Sequence, residues 1–449
     1  MKRTHAIAAF SAALVVAGVT GCSGAGGGET GTDGPVTISI METKQTNIDA
    51  INKVIPGFEA EMAKQGKDIK VDLIADQLTD EQFKTKMTQQ LVAGQAPDVL
   101  DIGENMAIAW SAAGYLTPLD EYLEKWDGWS HYYPAVKEAI TRQDGHVYNL
   151  PSGAGVQNFF FRKDVLDEVG VETSQPQTWD ELIDRLVKVK DATGDTPIVI
   201  PAGTAWGGGT WNEGFQPLLG GTDTEYYDRD SGTWDLQSPG WLAVFELYDE
   251  LISKGLMPVE DLQNPNPWEP TKYVKFPAGD IQVAAQGTWG WRFDWGPEGA
   301  TPIEGLDEKV STWQYPALRS GDQPYGWSST GGGYAIPEQS EKKEAAMEFI
   351  KYLSSGTPLA EQLTASGAAS ARDDLDDVAP YSEEPHLLQA GKDLADSVYV
   401  VTGDGADQIA QAVSTATEKI LSGEANGRQA YESFVKDATD LLGPSLVKQ

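Results

Sequence analysis

The amino-acid sequence predicts an α/β protein of two lobes, and three observations carry that prediction. A strand-helix-strand-helix-strand rhythm runs from Val36 to Ile102, and the same alternation resumes through the middle of the chain. The 449 residues also exceed the roughly 250–300 at which single hydrophobic cores stop growing. Hydrophobic content of 40% with 14 Trp is ample for two such cores.

The first 35 residues stand apart from that body. Lys2 and Arg3 open an apolar run from Ala6 to Val19, too short for a permanent membrane-spanning helix and right for the middle of a secretory signal. Val19-Thr20-Gly21-Cys22 follows, then Ser23 to Pro35, almost wholly Gly, Ser, Thr and acid. The succession resembles the bacterial lipoprotein signal. It implies a signal peptide over 1–21, a flexible tether over 22–35 and lipidation at Cys22, the first residue of the mature chain. Losing Lys2 and Arg3, with no acid beside them, takes the formal charge from −35 to −37. A field of that sign repels phosphate backbones and anionic headgroups, which argues against nucleic acid and against membrane contact beyond the anchor. Cys22 is the only Cys, so no disulfide can form within the chain.

The body opens with Val36-Thr37-Ile38-Ser39-Ile40, alternating as a strand does. Thr46 is expected to cap a helix whose Ile48, Ile51, Ile55, Phe58 and Met62 recur at three- and four-residue steps. A strand over 69–74 follows, then a capping box at Thr79 and Gln82, a helix lined by Phe83, Met87 and Leu91, and a short strand at Pro97–Ile102. This spacing implies right-handed crossovers in a mainly parallel sheet, whose ligands bind beyond the carboxyl ends of the strands. Glu42, Asp76, Gln77, Glu104 and Asn105 are thereby expected near one rim.

Tyr148 to Arg162 reads as an extended apolar stretch, and Thr178 with Glu181 as a second capping box opening a helix through Val189. Pro197–Pro201 and Ile281–Ala285 read as strands, Trp241–Gly255 as a helix ended by its glycine, and Ser328–Ile336 as extended chain. Helices over 344–353 and through most of 406–442 complete the chain.

Most catalytic motifs fail. Gly26, Gly28 and Gly31 fit a dinucleotide pattern, yet they lie in the tether with no strand before them. No phosphate loop and no Gly-x-Ser-x-Gly elbow occurs, and His131, His146 and His386 are scattered singly, so neither a metal nor a cofactor is expected. Asp228, Asp230 and Gly232 hint at a calcium loop but lack its downstream acid, and a hairpin turn is the better reading. With 68 acidic residues, some glycosidase-like carboxylate pair can always be drawn, so that pattern carries no specificity. What stands out is Trp in glycine-rich loops: Trp206, Trp211, Trp289, Trp291 and Trp327, with Asn212, Glu213 and Asp294 near them in sequence. An indole face suits the C–H face of a pyranose, and carboxylates and amides suit its hydroxyls.

Four blocks turn this into a family resemblance. Gly94-Gln95-Ala96-Pro97-Asp98-Val99 with Gly114 to Asp120, the stretch from Leu150 to Val171 with Pro176 to Leu182, Phe276 to Trp291, and Gly331 to Ser355 are similar to the extracellular solute-binding proteins of ABC sugar importers. The resemblance implies a two-lobe periplasmic-binding-protein-like fold, with 36–153 plus 331–369 as lobe 1, 154–330 plus 370–449 as lobe 2, and crossings near Ser152–Val156, Ser328–Gly331 and Ala368–Arg372. It implies hinge closure on a carbohydrate ligand, docking on the permease with its ATPase, an extracellular lipid-anchored monomer and no enzyme activity. Carried over by position, Trp289 is the expected stacking platform and Glu104 or Asn105 the hydroxyl partner, followed by Glu42, Gln77, Trp206, Trp211, Glu213, Trp327 and Arg372. Each has a bland role beside it: Glu42 as a charge at a helix N-terminus, Arg372 in an ion pair, Trp211 in the core. Relatives often carry Tyr-Asn-Lys after the first crossing, where this chain has Phe160-Phe161-Arg162-Lys163, so Asn158 does not inherit a relative's contact. A non-sugar solute (peptide, polyamine, iron) and a surface glycoside hydrolase are the alternatives.

Overall fold

The computed structural model describes residues 34–448 apart from 230, 320, 396 and 400–402. The signal peptide, Cys22 and nearly all of the tether therefore lie outside the described residues. In chain order the strands are β1 (Val36–Glu42), β2 (Ile69–Ala75), β3 (Val99–Ile102), β4 (Gly153–Arg162), β5 (Ile198–Val199), β6 (Tyr227–Asp228), β7 (Thr233–Trp234), β8 (Val283–Gly287), β9 (Val310–Trp313), β10 (Trp327–Ser329), β11 (Gly333–Ala335), β12 (Ala369–Ser370) and β13 (Val398–Tyr399).

The first sheet has the order β11-β3-β1-β2. β1 runs parallel to β2, from Val36 opposite Ile69 to Glu42 opposite Ala75, and parallel to β3. The helices Gln45–Lys64 and Asp80–Ala93 make the two crossovers that parallel pairing requires. The first buries Ile48, Ile51, Phe58 and Met62 of the expected stripe, with Val54 buried where Ile55 was expected and Ile55 half-buried beside it. Its cap is not Thr46, which lies inside the helix. Lys44 holds the N-cap position, and Glu42 Oε1 accepts the backbone N–H groups of Thr43 and Lys44, both at 2.8 Å. The second helix has its capping box, with Thr79 Oγ1 accepting from Gln82 N at 3.3 Å and Gln82 Oε1 from Thr79 N at 3.0 Å. At Thr178 half of the box forms: Thr178 Oγ1 accepts Glu181 N, but the Glu181 carboxylate takes Gln177 N instead.

The second sheet is built round β4, and here pairing is mostly antiparallel. Its order is β13-β10-β4-β8-β5, and β9 and β12 also pair with β4. Every residue of β4 except Gly155 is buried, so it reads as a continuous apolar run and not as an alternation. Phe159 meets Trp179 and Tyr315, Phe160 meets Trp291 and Trp295, and Phe161 stacks on Trp313 with centroids 4.1 Å apart. β6 and β7 form the expected hairpin, closed by Gly232 N donating to Asp228 O.

Three chain crossings gather beside β4. Leu150 bridges to Tyr334, Ser329 pairs with Gly155, and Ser370 pairs with Gly153. Gly332, at φ +122, is required here: a Cβ on it would lie 1.9 Å from Ile102 O.

Candidate functional site

The strands β4 and β8 end beside these crossings, and Trp289 lies over them. A Cβ placed on Gly287 would fall 1.9 Å from the Trp289 ring, and one on Gly155 would fall 3.4 Å from it. Only a side chain as small as glycine's at 287 lets the indole lie flat on the strand pair. Trp289 is half-buried, which leaves ring surface open.

Three π-helical turns surround the end of β8: Thr210–Phe215, Glu269–Lys275 and Gly290–Asp294. Such wide turns re-aim side chains and often occur at functional sites. Their side chains form one chain of contacts. Lys272 Nζ stands 3.0 Å from Glu213 Oε2, 3.4 Å from Gln286 Oε1 and 5.2 Å from the centre of the Trp206 ring. Gln286 Nε2 donates to Asp294 Oδ2 at 2.6 Å, and Tyr273 OH to Asp294 Oδ1 at 3.4 Å. Burial pushes the Asp294 carboxyl up, and Lys272 opposes that rise. Gln157 Nε2 reaches the same region, donating to Asn212 O at 3.1 Å.

On the first sheet's rim, Glu42 and Asp101 stand at the ends of β1 and β3, with Asn47 Nδ2 3.4 Å from a carboxylate oxygen of each. Glu104 follows β3. Burial pushes its carboxyl up, and Arg142 and Arg229 act against that rise. Arg229 belongs to the turn between β6 and β7, whereas Arg142 lies before β4, and Gln143 Nε2 donates to Arg229 O at 2.5 Å.

The ten residues expected from sequence are thus placed unequally. Trp289 is open beside the crossings, while Glu213 and Trp206 meet at Lys272, with the Trp206 ring 7% exposed and set edge-on to Trp268. Glu42 is buried as a helix cap, Glu104 is half-buried between two arginines, Asn105 is exposed, and Gln77 is exposed and bonded to Gln45. Trp211 is packed in the core against Phe215 and Trp241, and Trp327 is fully buried in β10 against Gly220. Arg372 is 3% exposed, forks onto Asp374, donates to Ser354 O and lies over Trp126 and Tyr132. Sequence reasoning missed Lys272, Gln286, Tyr273, Asp101 and Arg229. A Lys in Pro-Thr-Lys-Tyr-Val-Lys carries no mark of burial, and no spacing rule links residue 272 to 213. His131, Asp373 and Asp374 come within 4.8 Å of one another, but Asp374 is already held by Arg372, and this exposed group reads as an ion-pair network.

The α/β body thus has two large sheets and a small hairpin, with the indole of Trp289 beside the place where the chain passes between the large ones. The chain belongs to the bacterial extracellular solute-binding protein family, whose model matches residues 44–355. Among curated relatives, a putative binding protein of Brucella abortus is 28% identical over 182 residues, 38% of this chain and 40% of that protein; the chain thus matches about two fifths of the length of the first of these relatives. The arabinooligosaccharide-binding protein of Halalkalibacterium halodurans is 21% identical over 354 residues, 76% of this chain and 72% of that one. Among solved structures, the cyclic alpha-maltosyl-1,6-maltose binding protein of Arthrobacter globiformis superposes with a TM-score of 0.74 at 20% identity, over 91% of this chain and 99% of that one. At that identity the likeness speaks for the fold. No described helix is long and apolar enough to cross a membrane.

Proposed function

We propose that this protein is a lipid-anchored, extracellular substrate-binding protein that captures a mono- or oligosaccharide by hinge closure and delivers it to an ABC importer. Lobe 1 is taken as 36–153 plus 331–369 and lobe 2 as 154–330 plus 370–449. The observation that carries the sugar reading is the half-exposed Trp289 ring laid over Gly155 and Gly287, with Gln157 and the Glu213–Lys272 pair close to the same strand ends. A flat apolar face with hydrogen-bonding groups at its edge is what a pyranose needs, since its C–H face and its hydroxyl rim are recognised by different chemistries. That relatives bear names of oligosaccharide-binding proteins supports the same class of ligand.

A sugar works here by stabilising the closed arrangement, and it has only to overcome an open–closed gap of a few kcal/mol. The protein then hands over its ligand unchanged, acting as a monomer held to the membrane through Cys22 alone. The test is a thermal-shift screen of the protein against mono- and oligosaccharides, amino acids, peptides, polyamines and iron salts. Binding to the folded state alone stabilises by about 2.7 kcal/mol at a hundredfold excess over Kd. A shift with one sugar group, with the sugar recovered intact, is the expected result. A shift with a peptide, polyamine or iron alone overturns the sugar reading, and recovery of cleaved sugar overturns the binding-protein reading.

A further inference from the structure

The strand pair that carries Trp289 has a second face. Gly155 and Gln157 point one way along β4, so Asn158 and Phe160 point the other, away from the Trp289 ring. On that side lies a cavity of about 170 Å³ with Asn158, Phe160, Thr288, Trp291, His386 and Asp393 in its wall. Two polar atoms in this wall are unsatisfied. Asn158 is 3% exposed; its Nδ2 donates to Asp393 Oδ2 at 2.8 Å, but its Oδ1 has no partner among the described residues. Thr288 is 4% exposed, and its Oγ1 has none either. Leaving such atoms bare is costly, so each calls for an occupant.

We infer that this cavity is a second ligand site, separate from the sugar platform, for a small organic cation: a primary ammonium on a short carbon stem. The free atoms Asn158 Oδ1 and Thr288 Oγ1 accept hydrogen bonds from the ammonium, and Asp393 within and Asp307 at the exposed mouth supply negative charge. Phe160 and Trp291, with centroids 5.5 Å apart, give the stem an apolar wall and the cation two ring faces. An anion meets carboxyl groups here and no Lys or Arg in the wall; Arg292 faces the neighbouring, larger cavity. The side-chain amides of Asn158 and Gln389 each already give one N–H to Asp393, and the unpartnered atom of Asn158 is its acceptor oxygen, which suits a head group that donates. His386, 5.1 Å from the Trp291 ring, adds no competing charge, since burial holds its imidazole down to about 4. Burial raises the Asp393 carboxyl, and the amides of Gln389 and Asn158 and the charge of Lys392 act against that rise.

The inference does not rest on the sugar reading, and its test is independent of it. The whole protein is titrated calorimetrically with n-butylammonium chloride, and in parallel with n-butanol and sodium butyrate, which keep the stem and change the head group. Saturable one-site binding of butylammonium, at least about tenfold tighter than either control, is expected. Asn158→Leu and Thr288→Val should each weaken it about tenfold or more, the effect of losing one hydrogen bond to a charged group. Thr288→Val is nearly isosteric and keeps the test decisive should Asn158→Leu fail to fold. Lack of saturation, an equal response to butanol, or unchanged binding in the folded variants means that the cavity holds ordered water only, and overturns the proposal.

Discussion

Glu42 and Asp101 stand side by side at the carboxyl ends of two adjacent parallel strands, and one amide, Asn47 Nδ2, lies 3.4 Å from both. Glu42 spends its other oxygen on the first two N–H groups before the helix 45–64. At Asp101 burial together with the neighbouring Glu42 outweighs Lys44 and the Asn47 amide and pushes the carboxyl up to about 8.

That pair sets a pH dependence of stability. An unfolded Asp loses its proton near 4, whereas folded Asp101 keeps it to about 8, so the folded state binds the extra proton between those values and loses stability as pH rises through them. Asp101→Asn should remove this slope, gaining on the wild type by on the order of 1–3 kcal/mol between pH 5 and pH 8. Urea unfolding of both proteins across that range is the check, and parallel stability profiles would sink the idea.

Trp289→Ala should cost about 2 kcal/mol of sugar binding, roughly thirtyfold in Kd, by removing the stacking face. The melting temperature should move little, because the ring is half-exposed. Titration with the sugar found by the screen decides the matter: unchanged affinity takes Trp289 out of the site.

Arg372→Ala should act on stability and not on affinity. The guanidinium is 3% exposed and satisfies Asp374 and the carbonyl of Ser354 while lying between Trp126 and Tyr132. Its loss takes the forked, buried cation from Asp374 and should cost about 3 kcal/mol or more, with Arg372→Lys recovering little of it because a point charge cannot fork. Denaturant melts measure the first effect; a Kd that rises in fully folded variant protein would instead place Arg372 at the ligand.

Arg229→Ala should weaken ligand binding several-fold by removing a cation that favours ionised Glu104 from across the β6–β7 turn. Because both groups feel solvent, the difference from wild type should shrink as salt is raised from about 50 mM to about 500 mM. A salt-independent difference, or none, would show that the charge of Arg229 does not act through Glu104.

Local patterns settled much of this protein. The parallel strands β1, β2 and β3 and their two crossover helices were legible because period-two and period-3.6 apolar spacing, and the Thr79–Gln82 box, depend on near neighbours alone. The binding-protein family was legible for a similar reason, since short blocks such as Gly94–Val99 and Phe276–Trp291 keep their order along the chain. Position in a loop did not reveal whether a Trp is open: Trp289, Trp211 and Trp327 all follow glycine-rich chain. Only the tertiary structure separated the half-exposed first from the buried other two, because burial depends on what distant segments bring to the opposite side. The same holds for charge. Lys272 meets Glu213, and Asp101 meets Glu42, across 59 residues of sequence in each case, and no local pattern encodes a contact made by packing three turns or two strands together. Near-neighbour patterns along the chain thus specify the class of fold, whereas the packing of β4 against its neighbours decided which side chains share a face, because facing is a property of the assembled sheet.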